Sequence, residues 1–514
     1  MLVKTFGSAL LGIDAIIVTV EVNVTKGVNF YLVGLPDNAV KESQQRIATA
    51  LDVNGFKMPG RRIVINMAPA DIRKEGSSYD LTIAAGILAA SGQIPSGMID
   101  NYVIMGELSL DGSLRPVKGA LPIAIEARQK GLKGLFLPVQ NVREAAIVKG
   151  LDVYGVKHLS ELTGFFNGKR KLQPAFVDAR KEFQQQVNSW ENDFADVKGQ
   201  GNVKRALEIA AVGSHNILMI GSPGSGKTML ARRLPSILPP FTLQESLETT
   251  KIHSVAGRLS RGRSLMTRRP FRSPHNTISA SAMVGGGTVP RPGEVSLSHN
   301  GVLFLDELPE FQRNVLEMLR QPLEDRVIDI SRVKYAVRYP AGFMLVASMN
   351  PCPCGYYNHP EKECVCHPGM VQKYLNRISG PLLDRIDIHI EVTPVAFDDL
   401  AARSNAEASS DIRERVVKAR LLQGKRFSRN WNIHCNALMN SKMLHDHCQI
   451  DSAGQLILKH AMHKLSLSAR AYDRILKVSR TIADLENSTK IKSVHLAEAI
   501  QYRSLDRENW AGSI

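Results

Sequence analysis

Acidic side chains are the first shortage in this chain. Against 65 Lys and Arg stand only 49 Asp and Glu, which leaves a formal net charge of +16 over 514 residues. A balance this basic suits a polyanionic partner, nucleic acid above all. No run of 18 apolar residues occurs, which excludes a membrane-spanning helix. Residues 1–10 show no charged leader followed by an apolar core and a small-residue cleavage site, so the expected location is cytoplasmic. Cysteine is scarce: six in a chain of this size do not make a disulfide framework, and a tight group of them in a reducing compartment points to other chemistry. Aromatic residues make up only 6%, which weighs against an aromatic pore loop that grips polypeptide. What is present in quantity is apolar material, 44%, enough to pack the cores of two to four domains.

The most specific stretch is Gly221, Ser222, Pro223, Gly224, Ser225, Gly226, Lys227 and Thr228. It fits G-x-x-x-x-G-K-[ST], whose backbone N–H groups cradle phosphates, with the lysine placed to reach the β and γ oxygens and the threonine to hold Mg²⁺. The apolar run 216–220 before it reads as a buried parallel strand, and 229–234 after it can start a helix. A second apolar strand, 302–305, ends in Asp306 and Glu307. Asp306 can hold Mg²⁺ and Glu307 can activate water, so the chain is expected to bind and hydrolyse ATP with Mg²⁺ as its cofactor.

Around this engine the chain divides into an N-terminal α/β block over 1–168, a polar linker over 169–192, a nucleotide-binding block over 193–396 and a helical block over 397–514. Seventy-nine residues separate Lys227 from Asp306, more than one helix and one strand require, so an insertion is expected between them. From Lys251 to Gly293 it contains no Asp or Glu and eight Lys or Arg, among them Arg261, Arg263, Arg268, Arg269 and Arg272. Such a run is commonly a solvated face, but single-sign charge inside an ATPase core repels itself unless phosphate or another anion neutralises it. Residues 326–339 alternate as a hairpin with Arg332 and Lys334 near its tip. The strand 343–349 leads to Asn350, which can orient a water or simply make a turn. Arg385 and Arg470 follow; an arginine aimed at a γ-phosphate stabilises transition-state charge.

Taken in order, these features resemble an AAA+ ATPase of the magnesium-chelatase/MCM-type clade. More narrowly, Arg269-Pro-Phe-Arg-Ser-Pro-His275, Val284-Gly-Gly-Gly287, Pro290-Arg-Pro-Gly-Glu294 and the segment 298–307 resemble the ComM/YifB family of magnesium-chelatase-like proteins, over essentially the whole chain. The resemblance implies an α/β fold with three parts: an N-terminal Lon-protease-like (ribosomal S5 domain 2-like) α+β domain, a central AAA+ core and a C-terminal helical lid. It implies that Asn350 is sensor 1, Arg385 a finger acting on a neighbouring subunit's nucleotide, and Arg470 sensor 2, within a homo-hexameric ring. It also implies an ATP-driven DNA helicase that promotes branch migration during homologous recombination in natural transformation. The insert and hairpin arginines, with Lys334, would then grip DNA without sequence preference. A metal-insertion or protein-remodelling AAA+ chaperone is the alternative class.

In the Lon-like block, Ser78 falls at the nucleophile position but Leu121 falls where the family's catalytic lysine belongs, with Lys118 on another register. Leucine cannot take a proton, so the block is expected to be a non-catalytic platform for ring assembly or DNA contact. Finally, Cys352, Cys354, Cys364 and Cys366 gather four thiols within fifteen residues, enough for tetrahedral zinc, with reduced or redox-sensitive thiols as the other reading.

Overall fold

The computed structural model describes residues 1–185, 190–260, 262–287, 290–332, 335–357, 359, 361–395, 406–428, 433–465 and 467–503. It separates into two compact units, one made of 1–187, 242–267 and 290–292, the other of 188–241, 268–289 and 293–514.

The first unit is built on a seven-stranded mixed sheet. Its long strands Leu2–Leu11 and Asp14–Thr25 pair antiparallel across a tight turn, and the second of them buries alternate residues, as a half-covered strand must. Tyr102–Ile104, Gly134–Pro138 and Asp152–Val156 add a parallel half. Over the sheet lies Asp80–Ala90, a helix apolar on every side and accordingly buried along its whole length. Residues 38–53 form two helices, Asn38–Lys41 and Ser43–Val53, joined at Glu42. Part of the basic insert belongs to this unit. Leu243–Val255 starts with a capping box between Thr242 and Glu245, and Leu265, Ile147 and Ala179 close a small core beside it. Ser254 donates to the buried carboxylate of Glu144, and Lys251 pairs with Asp14.

The second unit contains a five-stranded all-parallel sheet in the order Phe271–Arg272, Val302–Leu305, Met344–Met349, Ile217–Ile220, Ile388–Glu391. Its three central strands are buried end to end, as parallel strands covered on both faces are. The hairpin expected from alternation is present, Val327–Arg332 paired with Tyr335–Pro340 and laced by Asp329 and Arg338 at 2.7 Å. The helical C-terminal region, Ser409–Arg426 and four shorter α-helices after it, does not form a unit of its own. Ile412, Val416, Leu458, Ile475 and Ile482 share one apolar core with Val203, Leu207 and Ile217 of the ATPase sheet layer. The boundary expected near 396 is thus a change of secondary structure rather than of core.

Candidate nucleotide site

The site lies at the carboxyl ends of the central strands, where parallel sheets leave a crevice. Strand Ile217–Ile220 feeds the loop 221–226, and Lys227 opens the helix Lys227–Ile237, so the backbone amides and dipole of the helix face the loop. Gly221 is required by close approach: a Cβ there would stand 2.3 Å from the Val392 carbonyl. Lys227 is 9% exposed, and its ammonium donates to Gly221 O at 2.7 Å and Ser222 O at 2.9 Å, with Asn350 Oδ1 at 3.3 Å. Burial lowers its pKa even though Asp306 and Glu307 pull it upward. A desolvated ammonium with neutral partners is a fit for an anion. The Ser222 hydroxyl, buried without a hydrogen-bond partner among the described residues, fits the same role.

Thr228 donates through Oγ1 to Asp306 Oδ2 at 2.7 Å, so the two oxygens expected to meet Mg²⁺ already face each other. Ser348, on the neighbouring strand, donates to the other Asp306 oxygen and accepts the Glu307 N–H at 3.3 Å. Glu307 itself has φ 54°, an unusual conformation for a residue with a side chain and one that clusters at functional sites. Tyr374 stands nearby: burial first, then the Glu310 charge, push its phenol up to about 12, while a hydrogen bond from the Asn350 backbone opposes them and Glu307 adds. Ser348 and Tyr374 are neighbours of the site that the sequence did not reveal, Ser348 reaching it from the adjacent strand and Tyr374 from the helix Pro368–Leu375.

No hydrogen bond or ion pair joins Arg385 or Arg470 to Lys227, Thr228, Asp306, Glu307 or Asn350 among the described residues. Arg385, 5% exposed, pairs with Glu324 at 2.5 Å and donates to Pro381 O at 2.6 Å. Arg470, in the first turn of Ala469–Leu485, is exposed and has no ion pair among the described residues.

The basic residues are less available than their count suggested. Arg272 is bound bidentately by Glu294, at 2.6 and 2.7 Å. Arg269 donates to Pro239 O, Pro240 O and Asn300 O, and lies over the Phe241 ring. Arg268 lies 5.4 Å from the Trp190 ring centroid. Arg263 is exposed, while the side chains of 268, 269 and 272 are engaged in contacts within the chain. Arg261, Lys334 and the side chain of Arg332 lie outside the described residues.

In the N-terminal unit, Leu121 is fully buried and Lys118 exposed. The buried ammonium of Lys74 donates to Pro69 O, and no hydrogen bond joins it to Ser77 or Ser78 among the described residues. The four cysteines converge, their sulfurs all within 4.8 Å of one another. No helix of the described residues is long and apolar enough to cross a membrane.

Comparison with known proteins matches residues 193–400 to the family model described as magnesium chelatase, subunit ChlI, 406–503 to its C-terminal model and 20–141 to subunit ChlI of Mg-chelatase. The competence protein ComM of Haemophilus influenzae is 45% identical over 507 residues, 98% of this chain and 97% of that protein. YifB of Escherichia coli is 42% identical over 503 residues, 97% and 96% of the two chains. Lon protease 2 of Bacillus subtilis is 34% identical over 148 residues, 28% of this chain and 26% of its own.

Proposed function

Because this chain belongs to the ComM/YifB family of magnesium-chelatase-like AAA+ proteins, we propose that it hydrolyses ATP and turns that reaction into movement along DNA. The observation that carries the reading is the convergence of Lys227, Thr228, Asp306 and Asn350 at one end of the parallel sheet. The loop amides and Lys227 bind the triphosphate, Thr228 and Asp306 hold Mg²⁺, Glu307 takes a proton from water, and Asn350 orients that water. Magnesium would neutralise charge on the β and γ oxygens. Arg385 is the finger for an adjacent protomer's nucleotide and Arg470 the sensor 2 for its own, within a homo-hexamer. In that role Arg385 exchanges Glu324 for phosphate at the protomer boundary.

The net charge of +16, the exposed Arg263 and the hairpin 327–340 support DNA as the polymer gripped. A relative named for competence, 45% identical over nearly the whole chain, supports natural transformation as the setting, in which the motor would promote branch migration during homologous recombination in the cytoplasm. The domain reading carried forward is a Lon-like platform, an AAA+ core and a lid packed into that core.

The test is ATP turnover and strand displacement on forked and four-way DNA, with Glu307→Gln and Arg385→Ala as controls. Turnover raised several-fold by DNA supports the motor. Turnover indifferent to DNA, with no attachment at low salt, sinks it. The magnesium-chelatase matches favour a second reading, metal insertion or protein remodelling, which a protein partner's stimulation of turnover would support.

A further inference from the structure

We propose that Cys352, Cys354, Cys364 and Cys366 bind one zinc ion as four thiolates, and that this ion braces the loop lying against the phosphate-binding loop. Cys352 Sγ is 3.3 Å from Cys354 Sγ and 3.7 Å from Cys364 Sγ, and Cys354 Sγ is 3.6 Å from Cys364 Sγ. With Zn–S bonds of about 2.3 Å, tetrahedral geometry sets ligand sulfurs roughly 3.8 Å apart, so the thiols already stand close to ligand spacing. A disulfide needs about 2.05 Å and would join only two of the four. Four sulfurs gathered this tightly leave room for a single ion and not for the many-atom core of an iron–sulfur cluster. Binding releases the four thiol protons and changes no oxidation state.

The surroundings say what the ion is for. Between Met349 and Pro368 the described residues form neither helix nor strand, and a loop of that length with no core of its own needs a cross-link. Cys352 is fully buried. It follows Asn350 by two residues, with Pro351 and Pro353 stiffening the path. Gly355 N–H donates to Cys352 O at 3.0 Å and turns the chain at φ 87°. There the backbone lies against Pro223 of the phosphate-binding loop, so closely that a Cβ on Gly355 would be 2.4 Å from Pro223 Cδ. One end of the cross-linked loop therefore continues into Asn350, beside the Lys227 ammonium, and its turn forms a wall of the loop 221–226. The bracing role rests on the reading of that loop as a nucleotide site.

The experiment uses the full chain purified under reductant without chelator. Elemental analysis and mercurial-triggered release give the metal count, and titration with a fluorescent ATP analogue gives nucleotide affinity. One zinc per chain is expected. Cys364→Ser/Cys366→Ser should hold none and bind nucleotide about tenfold more weakly with an unchanged far-ultraviolet circular dichroism spectrum. Gly355→Ala, which keeps all four thiols, should retain zinc and still lose affinity. Should the double variant fail to fold, chelator-stripped wild type takes its place, and reloading with ZnCl₂ must restore affinity. Wild type that carries no metal and takes up none from ZnCl₂, or carries iron instead, overturns the zinc site. Zinc loss with unchanged affinity overturns the brace. Zinc-bound wild type that binds no nucleotide overturns the reading of the loop 221–228 and, with it, the brace.

Discussion

The guanidinium of Arg474 is ion-paired with the carboxylate of Asp387. Arg474 lies one helical turn after Arg470, and Asp387 lies two residues after Arg385, so a single pair fastens the helix bearing one arginine to the segment bearing the other. Asp387 also accepts the Asn216 N–H at 3.1 Å and lies 3.2 Å from His215 Nδ1, whose Nε2 is 2.8 Å from Thr481 Oγ1. Burial alone would raise the carboxyl's pKa, but Arg474 and His215 outweigh it and hold it far below the usual range.

Removing Arg474 leaves that buried carboxylate without its main partner. Arg474→Ala should cost about 3–5 kcal/mol of stability, read as a lowered midpoint in denaturant unfolding. Because the folded Asp387 pKa is depressed, the pair's stabilisation is complete above the unfolded carboxyl's value, about 4, and is lost only as pH falls through the much lower folded value. In Arg474→Ala burial acts on Asp387 with its main opponent gone, so that carboxyl protonates at a higher pH than in the wild type, and the wild-type minus Arg474→Ala difference should be largest near pH 8 and shrink as pH falls. A difference that grows as pH falls from 8 to 5 would contradict this.

His389 acts in a higher window. Burial, aided by Arg503 and Arg474 against the pull of Asp387, lowers its pKa well below the normal imidazole value. The unfolded chain then takes up a proton that the folded one refuses, so this residue's contribution is intact above about pH 6.5 and declines as pH falls towards the folded value. His389→Gln should flatten the fall in thermal midpoint between pH 7 and pH 5. An unaltered slope would remove His389 as a cause of it.

The loop 221–226 between strand and helix, the acidic pair at a strand's end, the hairpin and the parallel strands were legible because each is contiguous and its chemistry local. The internal partners of the basic insert were not legible, for a physical reason. Its acid-free window ends at Gly293, and the very next residue, Glu294, is the carboxylate that binds Arg272. Arg269 is taken up by main-chain carbonyls, which no charge count registers. Nor does composition reveal that 242–267 folds with the N-terminal unit, since that depends on Glu144 and Asp14, more than 100 residues away. Ser348 stayed hidden because a serine in an apolar strand acquires its role only from the strand beside it.

Ser348 orients Asp306 from behind, and losing such a partner usually costs 10- to 100-fold in metal affinity or activity. Ser348→Ala should raise the Mg²⁺ concentration needed for half-maximal ATP turnover by about tenfold while leaving metal-free nucleotide binding within about twofold. If both change together, the hydroxyl merely supports the strand.

Glu307→Gln should retain ATP binding and lose turnover by about 100-fold or more, since the amide cannot accept a proton from water. Its binding constant and its steady-state rate, measured on one preparation, decide this. Turnover near wild type would assign the base elsewhere.

The pairing of Arg385 with Glu324 in the isolated chain sets up the sharpest test of a shared site. If Arg385 serves a neighbour, Glu307→Gln and Arg385→Ala damage opposite sides of each boundary. Each variant alone should be nearly inactive. In a mixed ring, some boundaries join a subunit with intact Glu307 to one with intact Arg385, and only there are both groups present. Mixing the two at equal concentration, under conditions that allow subunit exchange, should restore up to about a quarter of wild-type turnover, the fraction of boundaries expected from random assembly. An arginine acting within its own chain gives no such recovery, because every subunit in the mixture then lacks one of the two groups.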